Sequence, residues 1–226
     1  MIQNIDIPDE VPFMVLNDAV LFPQSIMPLF IFEPRYKKML DDVLPSDRMI
    51  AVATGCEDEK NAANEEKFHA VAGVGIIRAC KQNPDGNLNL ILQGISRVKL
   101  EEVSSEEPYG TAHIKKIVSA PGGTDKQVAS LKQQLIQLIQ TQSRLGANIS
   151  KEVLGFLNSI EDSEQMLDLA IYTLCSSTAV KLELLETNEV VPRFKKFILF
   201  LQSEIQQLKL NIKLKGKLDD GDIGNN

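Results

Sequence analysis

Four places in this chain combine residue types that catalysis or cofactor binding uses, and each lacks a necessary part. Ser96-Arg97-Val98-Lys99 has the Ser-x-x-Lys spacing in which a lysine activates a serine nucleophile. The surrounding pattern reads as a strand, where side chains three positions apart face opposite ways, so Lys99 cannot serve Ser96. Gly73-Val74-Gly75-Ile76-Ile77-Arg78 opens like a dinucleotide-binding turn, yet it lies within an apolar strand pattern, ends in Arg and opens no helix. Those glycines read as bulge or close-packing positions. The only Gly-Lys pair, Gly216-Lys217, is followed by Leu218 where a phosphate-cradling loop needs Ser or Thr, which excludes ATP hydrolysis. Cys56, Cys80 and Cys175 are widely separated, and His69 and His113 are the only other soft ligands, so no metal set is implied. The cysteines read as reduced, partly buried thiols. No catalytic residue, metal or cofactor follows from the sequence.

What remains is binding. Of nine Phe and three Tyr, four aromatics (Phe22, Phe30, Phe32 and Tyr36) fall close together, in a stretch punctuated by Pro23, Pro28 and Pro34. On a strand Phe30 and Phe32 share one face. Two readings are open: the pair packs into the interior, or it borders an apolar groove that accepts unfolded polypeptide. Arg35 adds a fork of donors suited to a carboxylate, from an acidic side chain or a chain terminus.

The scaffold for these residues is an ordinary folded chain. Its 226 residues are 43% hydrophobic and 24% charged, a length that buries roughly 70–75% of the unfolded surface. A net charge of −7 and a pI near 5.0 disfavour nucleic acid, whose affinity comes from clustered Lys and Arg. The absence of Trp and the presence of only three Tyr also remove the usual base-stacking platforms. No apolar run approaches the ~18 residues of a membrane span. The opening residues, MIQNIDIPDEVPF, are acidic where a secretory signal is basic, so the expected location is cytoplasmic. Asn148-Ile149-Ser150 reads as a loop and helix cap rather than a glycosylation site.

Two regimes divide the sequence. From Val11 to about Val118 the apolar pattern is strand-like, with Pro84-Asp85-Gly86 as a hairpin turn: proline presets one φ and glycine accepts φ > 0. Ser119-Ala120-Pro121-Gly122-Gly123 breaks the pattern as a linker. Beyond it, Val128, Leu131, Leu135, Leu138 and Ile139 recur at helical spacing, with Thr124 and Gln127 as a capping box and Gly146 as a stop. Short helices are expected over 151–158, 164–176 (capped by Ser163) and 179–186. A long final one, capped by Asn188, carries the stripe Phe194, Phe197, Ile198, Leu201, Ile205 and Leu208, which reads as bundle core. The expected organisation is α+β: a flexible 1–10, a β-domain over 11–120, a helical domain over 124–212 and a disordered tail over 213–226.

The run LFPQSIMPLFIFEPRY at residues 21–36, followed by an amphipathic helix over 37–44, resembles the opening of the substrate-binding amino-terminal domain of Lon proteases. Further landmarks follow in the family's order: Asp47 to Ala53, Val71 to Ile77, the turn Asn83-Pro84-Asp85-Gly86-Asn87, the strand Ile91 to Val98, and the ending Lys181 to Glu186 with Val191 to Leu208. The similarity is strong over 11–118 and weaker through the helices. It implies an antiparallel β pseudo-barrel of the PUA-like type followed by a helical bundle. It also implies a non-catalytic, ATP-independent module, similar to stand-alone members without the ATPase and peptidase regions. Implied partners are unfolded or client polypeptides, full-length Lon or another protein, and a homodimer stays open. At the strand-to-helix junction the resemblance implies contact through Glu33, Arg35 and Tyr36, beside Phe30 and Phe32; the alternative is that Glu33 pairs with Arg97 to lock strand to helix. Pro34 departs from many proteolytic members, which are polar there. A second functional reading is a PUA-like module for a small ligand or RNA.

Phe30→Ala separates the readings of the aromatic pair. A core ring costs roughly 3–5 kcal/mol on truncation, seen as a large fall in melting temperature. An exposed ring leaves the melt unchanged and weakens client binding.

Overall fold

In the strand Met49–Lys60, Ile50 and Val52 enter one apolar cluster while the alternating Ala51 and Ala53 enter another, so this strand is buried on both faces. That arrangement requires layers on each side, and the chain supplies them. The computed structural model describes residues 5–60, 66–104 and 108–221. In order they form β1 (Glu10–Leu16), β2 (Ile26–Ile31), α1 (Pro34–Val43), β3 (Met49–Lys60), β4 (Glu66–Phe68), β5 (Val71–Gln82), β6 (Leu88–Ser104) and β7 (Thr111–Lys116). Then come α2 (Asp125–Arg144), α3 (Lys151–Ser159), α4 (Ser163–Leu174), α5 (Thr178–Glu186) and α6 (Val190–Gly221).

Strands β1, β7, β6, β5 and β3 are neighbours in that order, and β3 pairs back onto β1, which closes the circuit as a barrel. The closing pair is parallel, Phe13 opposite Ala51 through Leu16 opposite Thr54, and the other pairs of the circuit are antiparallel. β4 adds to β3, and β2 adds to the first part of β6. The β5–β6 hairpin turns as expected: Asn83 N–H donates to Asn87 O at 2.8 Å, and Gly86 takes φ +78°.

Between β1 and β2 the chain crosses closely over the sheet. A Cβ at Gly73 would strike the Leu21 carbonyl, and one at Gly94 would strike the Phe22 carbonyl. Gly94 N–H donates to Ser25 O, and Gln24 N–H donates to Gly94 O, both at 2.9 Å. Leu21 and Phe22 are fully buried, and Ser25 Oγ closes the turn by donating to Phe22 O at 2.6 Å. The close-packing reading of Gly73 therefore has a physical cause, and Gly94 shares it. α1 packs over the same side, with Tyr36, Met39, Leu40 and Val43 joining Met27, Ile31, Leu90 and Leu92 in one core.

The chain groups into two compact units that differ from the linear division into 11–120 and 124–212. Met1–Ser119 groups with Asp168–Asn188, and Ala120–Leu167 with Glu189–Asn226. Side chains that reach across sequence explain why the second half of α4, and α5, join the barrel. Arg97 on β6 is buried and donates to the carbonyls of Leu185 and Thr187, both at 3.1 Å, and it also bonds Ser119 Oγ. It thereby satisfies carbonyls at the end of α5 that have no partner within the helix. Tyr172 Oη donates to Ile26 O on β2 at 2.9 Å.

In the other unit, α2 begins with the expected Thr124–Gln127 capping box and packs on α6. Phe194, Phe197, Ile198, Leu201 and Ile205 are buried, with Leu135 and Ile139 of α2 also buried, so this part of the stripe is core. Asp162 rather than Ser163 caps α4, accepting from Gln165 N–H at 2.8 Å. Arg193, fully buried, donates to Glu164 Oε1 at 3.0 Å. α6 continues to Gly221, so 213–221 extend the helix where a disordered tail was expected; 222–226 lie outside the described residues. At the other end Glu10 is already paired with His113, and Asp9 O accepts from Ile114 N–H at 2.8 Å. The expected flexible start therefore ends sooner than residue 10, and residues 1–4 lie outside the described residues.

Two stability predictions follow from these contacts. Gly94→Ala forces the 21–25 crossing off the sheet and is expected to lower unfolding free energy by about 2–3 kcal/mol. Arg97→Met strands the α5 carbonyls and is expected to cost about 3 kcal/mol. Urea denaturation of each variant measures both.

Candidate functional site

β2 is apolar at every position, IMPLFI, and only its pairing decides which side chains go in. Met27 and Ile31 point into the core, and Ile26, Pro28 and Phe30 point out, opposite Gln93, Ile91 and Asn89 of β6. Phe30 is 54% exposed and Phe32, just beyond the strand, is 59% exposed, with ring centroids 6.3 Å apart. Phe30 is therefore not interior core; Met27 and Ile31 hold that place. Ile26 and Ile91 are also exposed. The outer surface of this corner of the sheet is thus an apolar strip of Ile26, Pro28, Phe30, Phe32 and Ile91.

The strip runs into the start of α1. Glu33 is the N-cap, with extended backbone and no side-chain cap bond, and Pro34 takes the first helical turn, where its missing N–H costs nothing. Starting at Pro34 puts the helix three residues ahead of the expected 37–44. Arg35 Nε donates to Glu33 Oε2 at 2.8 Å, and its guanidinium carbon lies 4.5 Å from the Tyr36 ring centroid. Glu33 therefore pairs with Arg35 rather than with Arg97, whose donors go to α5. Both side chains of the pair remain partly exposed. Tyr36 is 4% exposed, and its Oη accepts from Val15 N–H at 3.2 Å. It anchors α1 to β1 and underlies Arg35, so it positions the site instead of presenting a surface. Lys37 Nζ donates to Asn87 Oδ1 at 2.9 Å, tying α1 to the β5–β6 turn. Of the expected contact residues, the fold leaves Phe30, Phe32, Glu33 and Arg35 open to solvent and buries Tyr36.

A cleft of about 490 Å³ lies beside β2, lined by Asp18, Met27, Pro28, Leu29, Tyr172 and Lys181, among others. The Lys181 ammonium sits 5.3 Å from the Tyr172 ring centroid, and burial pulls its pKa below the usual lysine range. Burial also raises the Tyr172 pKa. These residues reach β2 from helices far along the chain, and no local signal in the sequence could join them to it.

The catalytic resemblances do not assemble. Ser96 is buried with its Oγ turned to a main-chain oxygen, while Lys99 is exposed and pairs with Glu101 at 3.3 Å. Among the described residues no group of His, Cys, Asp or Glu converges as a metal would need, and no helix is long and apolar enough to cross a membrane.

Residues 10–203 match the sequence model of the ATP-dependent protease La (LON) substrate-binding domain. The chain is 27% identical over 215 residues to Lon protease of Desulfosudis oleivorans, covering 95% of this chain and 26% of that protein. It is likewise 27% identical over 220 residues to Lon protease of Flavobacterium johnsoniae, covering 95% of this chain and 26% of that one. The chain thus spans about a quarter of the length of these curated relatives. Among solved structures, the amino-terminal domain of Mycobacterium avium complex Lon protease superposes with a TM-score of 0.66 at 18% identity, covering 86% of this chain and 98% of that one. A Lon N-terminal domain protein from Xanthomonas campestris gives 0.60 at 16%, covering 84% and 96%. These two likenesses establish the α+β fold, and the match across 10–203 establishes membership: the chain belongs to the Lon substrate-binding domain family.

Proposed function

We propose that this chain binds exposed apolar segments of non-native polypeptide, without catalysis, through the outer strip of β2 and the first turn of α1. The observation that carries the reading is the pair of phenylalanines, 54% and 59% exposed and 6.3 Å apart, on a sheet face that also exposes Ile26, Pro28 and Ile91. Large rings left in water on one contiguous patch mark an interaction surface more often than a fold requirement. Family membership supports polypeptide as the ligand. Glu33 and Arg35 border the strip as a partly exposed pair and can exchange their mutual contact for charged groups flanking an apolar client segment. Tyr36, buried beneath Arg35, holds that edge in place.

Such a module acts as an adaptor or holdase, delivering or shielding clients, and requires no nucleotide. Its cytoplasmic location and any pairing with a complete Lon enzyme belong to the same proposal. RNA is disfavoured by the net charge of −7.

Phe30→Ser with Phe32→Ser is expected to weaken binding of a permanently unfolded, fluorescently labelled polypeptide by about tenfold or more, because two exposed aromatic contacts are lost. The melting temperature should stay within a degree or two, since neither ring is core. A melt that collapses, or binding that is unchanged, would overturn the assignment of the strip as the contact surface.

A further inference from the structure

β2 has a second feature that its outer face does not use, namely an edge. Gly94 N–H donates to Ser25 O, so the Ser25 carbonyl faces β6 just ahead of the antiparallel ladder that starts with Ile26 opposite Gln93. Alternation then turns the main chain of Met27, Leu29 and Ile31 toward β6 and that of Ile26, Pro28 and Phe30 away from it. Pro28, which has no N–H, fits the outward set. Ile26 O in that set is taken by Tyr172 Oη at 2.9 Å. Pro28 O, Phe30 N–H and Phe30 O follow along the same edge, and among the described residues β2 pairs with no strand but β6. An edge of this kind recruits an added strand unless something blocks it.

Among the described residues lining the cleft beside that edge, Lys181 is the cation. Lys181 is about half buried, and among the described residues its ammonium has no ion pair or hydrogen bond; it lies over the Tyr172 ring, and the Cys175 side chain also acts on it electrostatically. Asp18 lines the same cleft, and among the described residues no ion pair joins it to Lys181. A half-buried ammonium without a carboxylate is costly, and a ligand carboxylate would relieve that cost. Tyr172 decides where in the ligand the carboxylate belongs. Because it occupies Ile26 O, a strand added along Phe30 and Pro28 cannot continue past that point, so the ligand ends beside Lys181.

We propose that the cleft receives the carboxyl-terminal end of a client polypeptide, as a short strand antiparallel to β2 whose terminal carboxylate pairs with Lys181 and whose last apolar side chains enter between Leu29 and Tyr172. The inference rests on the polypeptide-binding reading above and adds to it a chain-end specificity with its own residues.

The test uses a short fluorescein-labelled peptide ending in leucine and valine, prepared with a free carboxylate, with a carboxamide, and with a glycine-serine extension that makes the same sequence internal. Binding is read by fluorescence anisotropy for the intact protein, Lys181→Gln, Lys181→Arg and the Phe30→Ser/Phe32→Ser variant. The free-acid peptide is expected to bind about tenfold more tightly than the other two. Lys181→Gln should erase that preference while leaving carboxamide binding unchanged, and Lys181→Arg should retain it. Equal binding of acid and amide, or a preference that survives Lys181→Gln, would overturn the proposal. If acid and amide bind equally and both are lost with the phenylalanine variant, the chain-end inference fails and the general reading stands. If no peptide binds the intact protein, both fail.

Discussion

The main chain at Leu21 and Phe22 lies directly against Gly73 and Gly94, and the architecture of the binding corner depends on that contact. It places Ser25 opposite Gly94, and this starting point sets the register of β2 along β6. A slip of one residue would bring Pro28 and Phe30 inward and push Met27 and Ile31 into water. The strip and the outward-turned edge of β2 are both consequences of this register. So is the reach of Tyr172 to Ile26, since only an outward-turned carbonyl can accept from outside the ladder.

The barrel does for α5 what it does for β2. Arg97, buried on β6, directs its donors to the last carbonyls of α5 and to Ser119, so the end of a helix is capped by a sheet residue distant in sequence. That cap keeps α5, and with it Lys181, at the edge of β2. A linear division at the Pro-Gly-Gly segment misses this relation because contact, rather than chain order, assembles the unit.

Local signals were sufficient where a residue acts on its neighbours. Pro84-Asp85-Gly86 could be read as a hairpin and Thr124 with Gln127 as a capping box, and the period of Phe194 to Ile205 marked a buried face, because each effect spans only a few positions. The order of motifs from Leu21 onward was enough to recognise the family. The faces of β2 could not be read, since IMPLFI has no polar residue to break the symmetry between them; parity came from glycines some 50–70 positions away. The burial of Tyr36, the partner of Glu33 and the fully buried Arg193 were equally hidden, as each depends on a tertiary neighbour. Lys181 and Tyr172 were invisible as site residues for the same reason.

Hydrogen–deuterium exchange of the intact protein, with and without a permanently unfolded polypeptide, tests the central claim most directly. Residues 26–35 provide both the strip and the edge, so their amides, Phe30 above all, should gain protection on binding while those of α2 and α6 stay unchanged. Protection confined to the helices 125–221, with residues 26–35 exchanging as in the free protein, would contradict the account.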